Sequence, residues 1–155
     1  MHSVASGSVD YVLELGDWPL AKIYAPVACD PADLDPDSFY RHTDALLARE
    51  TPFALLYDLR NSGGLSAARR KRFVDYVEAN HDAVCRYLVA YASLVDNELQ
   101  RGVLTAVLWI LKPPSPQRAF TSEVEARVWL NTSLTEFGVE LPRSGDLYSR
   151  RPPAP

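Results

Sequence analysis

The stretch "YDLRNSGGLSAARRKRF", residues 57–73, predicts the end of a strand, a tight turn and the start of a helix. The strand, at 53–59, is almost continuously apolar, which is typical of a strand buried on both faces of an α/β sheet. Gly63 and Gly64 are suited to the turn, and Ser66 is a residue type that caps helix N-termini. We therefore predict a central strand followed by a helix.

The segments on both sides complete an α/β pattern. Before this stretch, two short alternating segments predict a hairpin, and Asp35-Pro36 predicts a helix start. After it, the helix that follows the turn includes Val84, and further helix starts are predicted at Asn97 and Ser122. The apolar residues expected to face the core from the last helix are Val124, Val128, Trp129 and Leu134. The predicted order is ββαβαβαβα, a mixed sheet of about five strands with flanking helices.

Length and composition fit one such domain. The chain has 155 residues, of which 47% are hydrophobic and 23% charged, as in an ordinary globular protein. We place the domain at 9–141 and expect a flexible N-terminus over 1–8 and a disordered tail over 142–155. The formal charge of −4 argues against nucleic-acid binding. No apolar run approaches the roughly 20 residues of a membrane span, and the first ten residues do not resemble a secretory signal, so we expect a cytoplasmic protein.

Four consecutive basic residues, 69–72, lie where the helix after the glycine turn begins. A helix N-terminus already carries about half a positive charge, so added cations are unfavourable there unless an anion binds. The glycines would also let backbone approach a phosphate or carboxylate closely. We predict a site for a protein partner or a small anionic ligand, and Arg101 near the Asn97 helix start could join its rim. The candidate residues are Asp58, Arg60, Ser62, Gly63, Gly64, Ser66, Arg69, Arg70 and Arg101.

A second interpretation needs no ligand. Asp75 and Glu78 lie at helical spacing for ion pairs with the basic residues, and four consecutive residues point to all sides of a helix. Asp58 can likewise accept hydrogen bonds from the loop that follows its strand. Both interpretations stay open at this point.

No catalytic or metal-binding motif stands out. His2, His42 and His81 lack the spacing of paired metal ligands, and nucleotide-binding glycine loops and a nucleophile elbow are absent from the sequence. Cys29 and Cys85 lie far apart, and we expect both to be buried, reduced thiols. We therefore predict a protein that is not an enzyme and uses no metal or cofactor.

The segment 103–111 is apolar on more than one helix face. One apolar stripe is enough for packing on a sheet, so the second face needs another contact. A homodimer is the first explanation. A pocket for a lipid-like molecule and cover by another part of the same chain are the alternatives.

This order of elements, with "FALLYDLRNSGGLS" and "NELQRGVLTAVLWIL…RAFTSEVEARVWL", resembles the SpoIIAA-like proteins, a group related to STAS domains and described as STAS/SEC14-like. The resemblance spans about 9–137, and its most specific part is Phe120 followed by Ser122-Glu123 and "EARVWL". It implies a sheet flanked by helices and a regulatory or binding role, with a lipid-like ligand on its SEC14 side. The family's phosphorylated Ser or Thr matches Gly63, which has no hydroxyl, so the phosphoswitch is not carried over.

Overall fold

The structure is a computed structural model that describes residues 9–62 and 66–139. Gly63, Gly64 and the terminal segments predicted to be flexible lie outside the described residues. The elements in chain order are β1 (Val12–Glu14), β2 (Leu20–Tyr24), α1 (Pro36–Leu47), β3 (Phe53–Asp58), α2 (Ala67–Ala79), α3 (His81–Tyr87), β4 (Leu88–Leu94), α4 (Glu98–Leu111), β5 (Gln117–Phe120) and α5 (Glu123–Phe137).

The five strands form one mixed sheet in the order β1-β2-β3-β4-β5. β1 and β2 pair antiparallel as the predicted hairpin, and the other pairs are parallel. All six residues of β3 are buried, and β3 lies between β2 and β4. The predicted α/β class and the central position of β3 are therefore confirmed.

Helix α5 covers one face of the sheet. Its fully buried residues Ala126, Leu130 and Leu134 recur every four residues and form one stripe. The stripe packs on residues of β2, β3 and β4, several of them small enough for close approach: Leu20, Ala54, Leu56, Ala90, Ala92 and Leu94. Val124 and Val128 are 73% and 61% exposed, so their predicted packing role is wrong. Both valines lie on the side of α5 opposite to the buried stripe that packs on the sheet.

The other four helices lie over the opposite face. Buried side chains of α1, α3 and α4, including Phe39, Val84 and Leu104, pack with the residues of β3 and β4 that point to this face. Helix α2 buries no residue fully and contributes only partly buried side chains such as Phe73 and Val77. Because α2 packs loosely, space remains between it and the sheet.

The predicted helix starts are confirmed, but the helix predicted to follow the glycine turn is divided into two helices in the structure. Asp35, Ser66, Asn97 and Ser122 each accept a backbone N–H of the first turn of their helix. The helix that begins at Ala67 ends at Ala79, and α3 begins two residues later. Asn80 causes the break because its side-chain amide donates 2.9 Å to the carbonyl oxygen of Tyr76, which is a C-terminal cap for α2.

Candidate functional site

A cavity of about 330 Å³ lies between the sheet and helices α1, α2 and α4. Most of its wall is apolar, and the inner side of α4 contributes Leu104, Val107, Leu108 and Leu111. The most distinctive lining is aromatic, with six rings brought together from β3, β4, α1, α2 and the segment before β1: Tyr11, Phe39, Tyr40, Tyr57, Phe73 and Tyr91. Such a concave, mainly apolar space with a few polar groups is the usual form of a small-molecule site.

The aromatic wall is held together by ring contacts. Phe39 stacks on Tyr57 with centroids 4.3 Å apart, and Tyr11 meets both rings edge-on. On the α2 side, Phe73 and Tyr91 have centroids 5.4 Å apart. Aromatic pairs at such distances add to the stability gained from burial, so the wall is preorganised rather than formed only around a ligand.

Tyrosine hydroxyls give this wall polar points that remain uncharged. Burial raises the pKa of Tyr57 well above its ordinary value, and the neighbouring Tyr11 raises it further. Burial also raises the pKa of Tyr91, against a lowering by the hydrogen bond with Ser93. These phenols are therefore neutral at physiological pH, and they are suited to hydrogen bonding rather than to acting as general bases.

Three arginines of α2, namely Arg69, Arg70 and Arg72, line one side of the cavity and are here called the arginine rim. Arg69 donates 2.6 Å hydrogen bonds to the Tyr11 hydroxyl and to the carbonyl oxygen of Ser62. The Arg70 side chain makes no hydrogen bond or ion pair within the described part of the chain. It is therefore the rim cation most available to an anion.

The other two basic residues of the run have protein partners. Arg72 pairs with Asp37 of α1, and its guanidinium lies 4.6 Å from the centre of the Tyr40 ring. Lys71 points away from the cavity and pairs with Asp75 at 2.8 Å, one of the two predicted ion-pair partners. The four consecutive cations thus divide between solvent, protein partners and the cavity. Three other ionisable side chains also lie along the wall: Glu78, His81 and Lys112.

Asp58 and Arg60 form a separate ionic cluster and do not line the cavity. The Arg60 guanidinium donates two hydrogen bonds, of 3.0 and 2.8 Å, to the Asp58 carboxylate, and the Arg60 backbone N–H donates a third. Burial alone would raise the pKa of Asp58, but the hydrogen bonds and charge of Arg60 outweigh it and lower that pKa. Arg60 also reaches Glu123 of α5 at 3.4 Å, and Glu123 pairs with Lys22 and Arg127. This cluster joins the sheet to α5.

The remaining predicted site residues within the described ranges, Ser62, Ser66 and Arg101, are also dispersed. The Ser62 hydroxyl is buried and donates to the carbonyl oxygen of Leu59, while Ser66 caps α2. Arg101 is exposed on α4 and pairs with Glu98 at 2.6 Å, away from the cavity. Of the predicted residues that the structure describes, only Arg69 and Arg70 line the cavity. Tyr57 and Tyr91, which the prediction missed, were signalled by their place within otherwise apolar strands.

The cysteine prediction holds only in part. Cys29 and Cys85 are free thiols, but Cys29 is only half-buried and Cys85 is exposed, so the predicted burial is wrong for Cys85 and only partly met by Cys29. Cys85 lies on the solvent side of the short helix α3, with its sulfur 3.6 Å from His81 Nε2.

In the described ranges, no three potential metal ligands of the His, Cys, Asp or Glu type come together. Every helix in those ranges is too short or too polar to cross a bilayer.

Comparison with known proteins identifies the fold. The chain is similar to the crystal structure of an uncharacterised protein of the DUF3478 family with a SpoIIAA-like fold from Shewanella loihica PV-4. The two share 18% sequence identity with a TM-score of 0.51, over 84% of this chain and 98% of that one. The predicted SpoIIAA-like fold is thereby confirmed. No protein-family model and no curated protein matches the chain. Because a fold alone does not determine function, function has to be argued from the site.

Proposed function

We propose that this domain is a non-catalytic binding module that holds a small amphiphilic anion, with the apolar body of the ligand in the aromatic cavity and its acidic group at the arginine rim. The observation that carries the proposal is the juxtaposition itself: one cavity of about 330 Å³ is walled by six aromatic rings and edged by Arg69, Arg70 and Arg72. Neither feature alone would select this ligand class.

The aromatic cavity and the arginine rim would each bind a different part of such a ligand. An apolar body gains roughly 25 cal/mol for each Å² that it removes from water. An acidic group gains charge-assisted hydrogen bonds from a guanidinium, and the Arg70 guanidinium has no partner among the described residues. The cavity volume is near the lower end of the roughly 300–1,000 Å³ of ligand sites, which favours a small molecule over a long-chain lipid. A lipid-like cargo therefore remains the second candidate.

The cavity chemistry supports binding rather than catalysis. The Tyr57 and Tyr91 hydroxyls have raised pKa values and are poor proton acceptors. Arg72 is occupied by Asp37, and Arg69 by the Tyr11 hydroxyl, so both rim residues have positioning contacts. We further propose a cytoplasmic regulatory role, in which a protein partner senses the occupied rim. Free Cys29 and Cys85 are the expected state in a reducing compartment.

A matched pair of dyes tests this function. Anilinonaphthalene sulfonate combines an aromatic body with an acidic group, and phenylnaphthylamine is the same scaffold without the sulfonate. Fluorescence titration should show that both bind. Arg70→Ala should weaken the anionic dye about twofold to fivefold, the loss of one partly exposed charge contact, and leave the neutral dye unchanged.

The control is Arg86→Ala, which removes an exposed arginine of α3 that does not line the cavity. It should change neither dye affinity. If Arg70→Ala and Arg86→Ala weakened the anionic dye equally, the arginine rim would act only through long-range charge and not by contact. If neither dye bound, the proposed function would be wrong. Native mass spectrometry of the purified protein would then identify any retained molecule, and a long acyl chain would favour the lipid carrier.

A further inference from the structure

Helix α4 has a second apolar face, directed to solvent. Its inner face contributes Leu104 and Leu108 to the core. On the outer face, Leu99 is 78% exposed, Val103 53% and Ile110 80%. With the exposed Ala106, these residues form what is here called the outer stripe, and Trp109, 79% exposed, lies beside it. The two-faced helix expected from the sequence is present, and within the described residues nothing covers its outer side.

The spacing of the outer stripe matches a helix–helix seam. Positions 99, 103, 106 and 110 follow intervals of four, three and four residues, which is the pattern of alternating a and d positions in coiled coils. Such a stripe fits the side of another helix better than it fits a flat surface. The partner element is therefore expected to be helical.

Gly102 gives an independent indication that a backbone approaches this face. A glycine inside a helix costs roughly 0.5–1 kcal/mol relative to alanine. A Cβ atom placed at Gly102 would meet nothing within 4 Å, so the fold of one chain gives no reason for glycine there. Gly102 is also four residues before Ala106, and two small residues at that spacing on one helix side let a second helix pack closely.

The exposed apolar area is sufficient for a dimer. At their exposed fractions, Leu99, Val103, Trp109 and Ile110 present on the order of 600 Å², at the upper limit of the largest apolar patch on ordinary monomers. Two copies would bury about 1,200 Å², where the range of stable interfaces begins. A two-fold axis lets one patch serve both copies, because each then contacts the same patch on the other.

The charge pattern favours a second copy over a membrane surface. Helices that lie on membranes usually carry Lys and Arg along their polar face. The charged residues of α4 are Glu98 and Arg101, which pair with each other at 2.6 Å. The chain also has a formal charge of −4, which is repelled by anionic lipid.

We propose that the outer stripe of α4 is the homodimer interface, with two α4 helices crossing at Gly102 and Ala106 around a two-fold axis. This assembly is separate from ligand binding, since the cavity is lined by the inner side of the same helix. The cavity of each copy stays within one protomer.

Sedimentation velocity of the full chain over a range of concentrations tests the interface. The expected mass is about twice 17.3 kDa. Val103→Glu should raise the dimer dissociation constant about a hundredfold or more, because the two-fold axis places two carboxylates in one apolar interface. Val128→Glu is the matched control, since Val128 is an exposed helical valine of α5 with similar exposure, and it should leave the dimer intact.

Gly102→Ala supplies a second test that does not depend on an added charge. In a monomeric Val103→Glu background it should raise the unfolding midpoint, since alanine favours helix, while in the otherwise unchanged chain it should weaken the dimer about tenfold or more. Circular dichroism should show the same helix content throughout. A monomer at every concentration, or dissociation by Val128→Glu alone, would overturn the proposal. Flotation of a monomeric protein with neutral or anionic vesicles would assign the stripe to a membrane instead.

Discussion

The Arg69 guanidinium donates a hydrogen bond to the Tyr11 hydroxyl at 2.6 Å, although the two residues are 58 positions apart. Its other nitrogen donates to the carbonyl oxygen of Ser62. One side chain of α2 thus joins the segment before β1 to the loop after β3. This contact also fixes one end of the arginine rim against the aromatic wall, so it links the two halves of the proposed site.

Tyr11→Phe should destabilise the fold by about 1 kcal/mol, because the ring still packs on Phe39 and Tyr57 while the Arg69 hydrogen bond is lost at a buried position. Urea unfolding measures the change in the free energy of unfolding. Tyr24→Phe is the control, since the Tyr24 hydroxyl makes no hydrogen bond within the described residues. A loss no larger than that of the control would show that the Arg69 contact contributes little.

The Asp58–Arg60 pair should make stability depend on pH. Arg60 lowers the pKa of Asp58 below its ordinary value of 3.8, so the pair stabilises the folded state above that value and loses its effect as the pH falls through the lowered pKa. At neutral pH, Asp58→Asn should cost about 1 kcal/mol, a figure reduced because Arg60 is partly exposed.

The difference in unfolding free energy between Asp58→Asn and the unchanged chain should shrink steadily below pH 4. Glu123 also has a lowered pKa and would move both proteins in the same direction, so comparing the two proteins isolates Asp58. A difference that stays constant down to the acid transition would contradict the assigned role of the pair.

The separation of Asp58 from the cavity could have been predicted from the two-residue period of a strand. Successive strand residues point to opposite faces, so Tyr57 and Asp58 cannot both face α2. Tyr57 lies with the aromatic wall, whereas Asp58 shares the α5 side with Leu56. The apolar run predicted that β3 is central, but it did not show which face of the sheet each helix covers. The placement of the helices decides which of the candidate site residues lie close together.

Helix starts were predictable because each depends on one capping side chain within its own first turn, as at Ser66 and Asn97. The break at Asn80 was missed because the apolar spacing continues through it, while the cap forms through a single amide. The cavity depends on rings that are far apart in the chain, such as Tyr11 and Tyr91. Their meeting is set by strand order and helix placement, which local patterns do not contain.

Filling the cavity should abolish dye binding. Val107→Trp adds a large ring from the inner side of α4, at a stability cost of about 1–3 kcal/mol for overpacking. Both dyes should lose their fluorescence response, because their shared apolar body no longer fits. Val124→Trp is the control, since Val124 is 73% exposed on α5. Unchanged dye binding by a folded Val107→Trp protein would place the dyes elsewhere, with the outer stripe of α4 as the nearest apolar surface.

Salt should separate the two parts of ligand binding. Screening shortens the reach of exposed charges from about 30 Å at 0.01 M salt to about 3 Å at 1 M, so the anionic dye should bind more weakly as salt rises. The neutral dye should hold its affinity, because burial of an apolar body is not weakened by salt. Arg70→Ala should flatten the salt dependence of the anionic dye, whereas Arg86→Ala should leave its slope unchanged. Equal slopes for the two dyes would mean that the arginine rim makes no contact with the acidic group, and the cavity would then be assigned to an uncharged ligand.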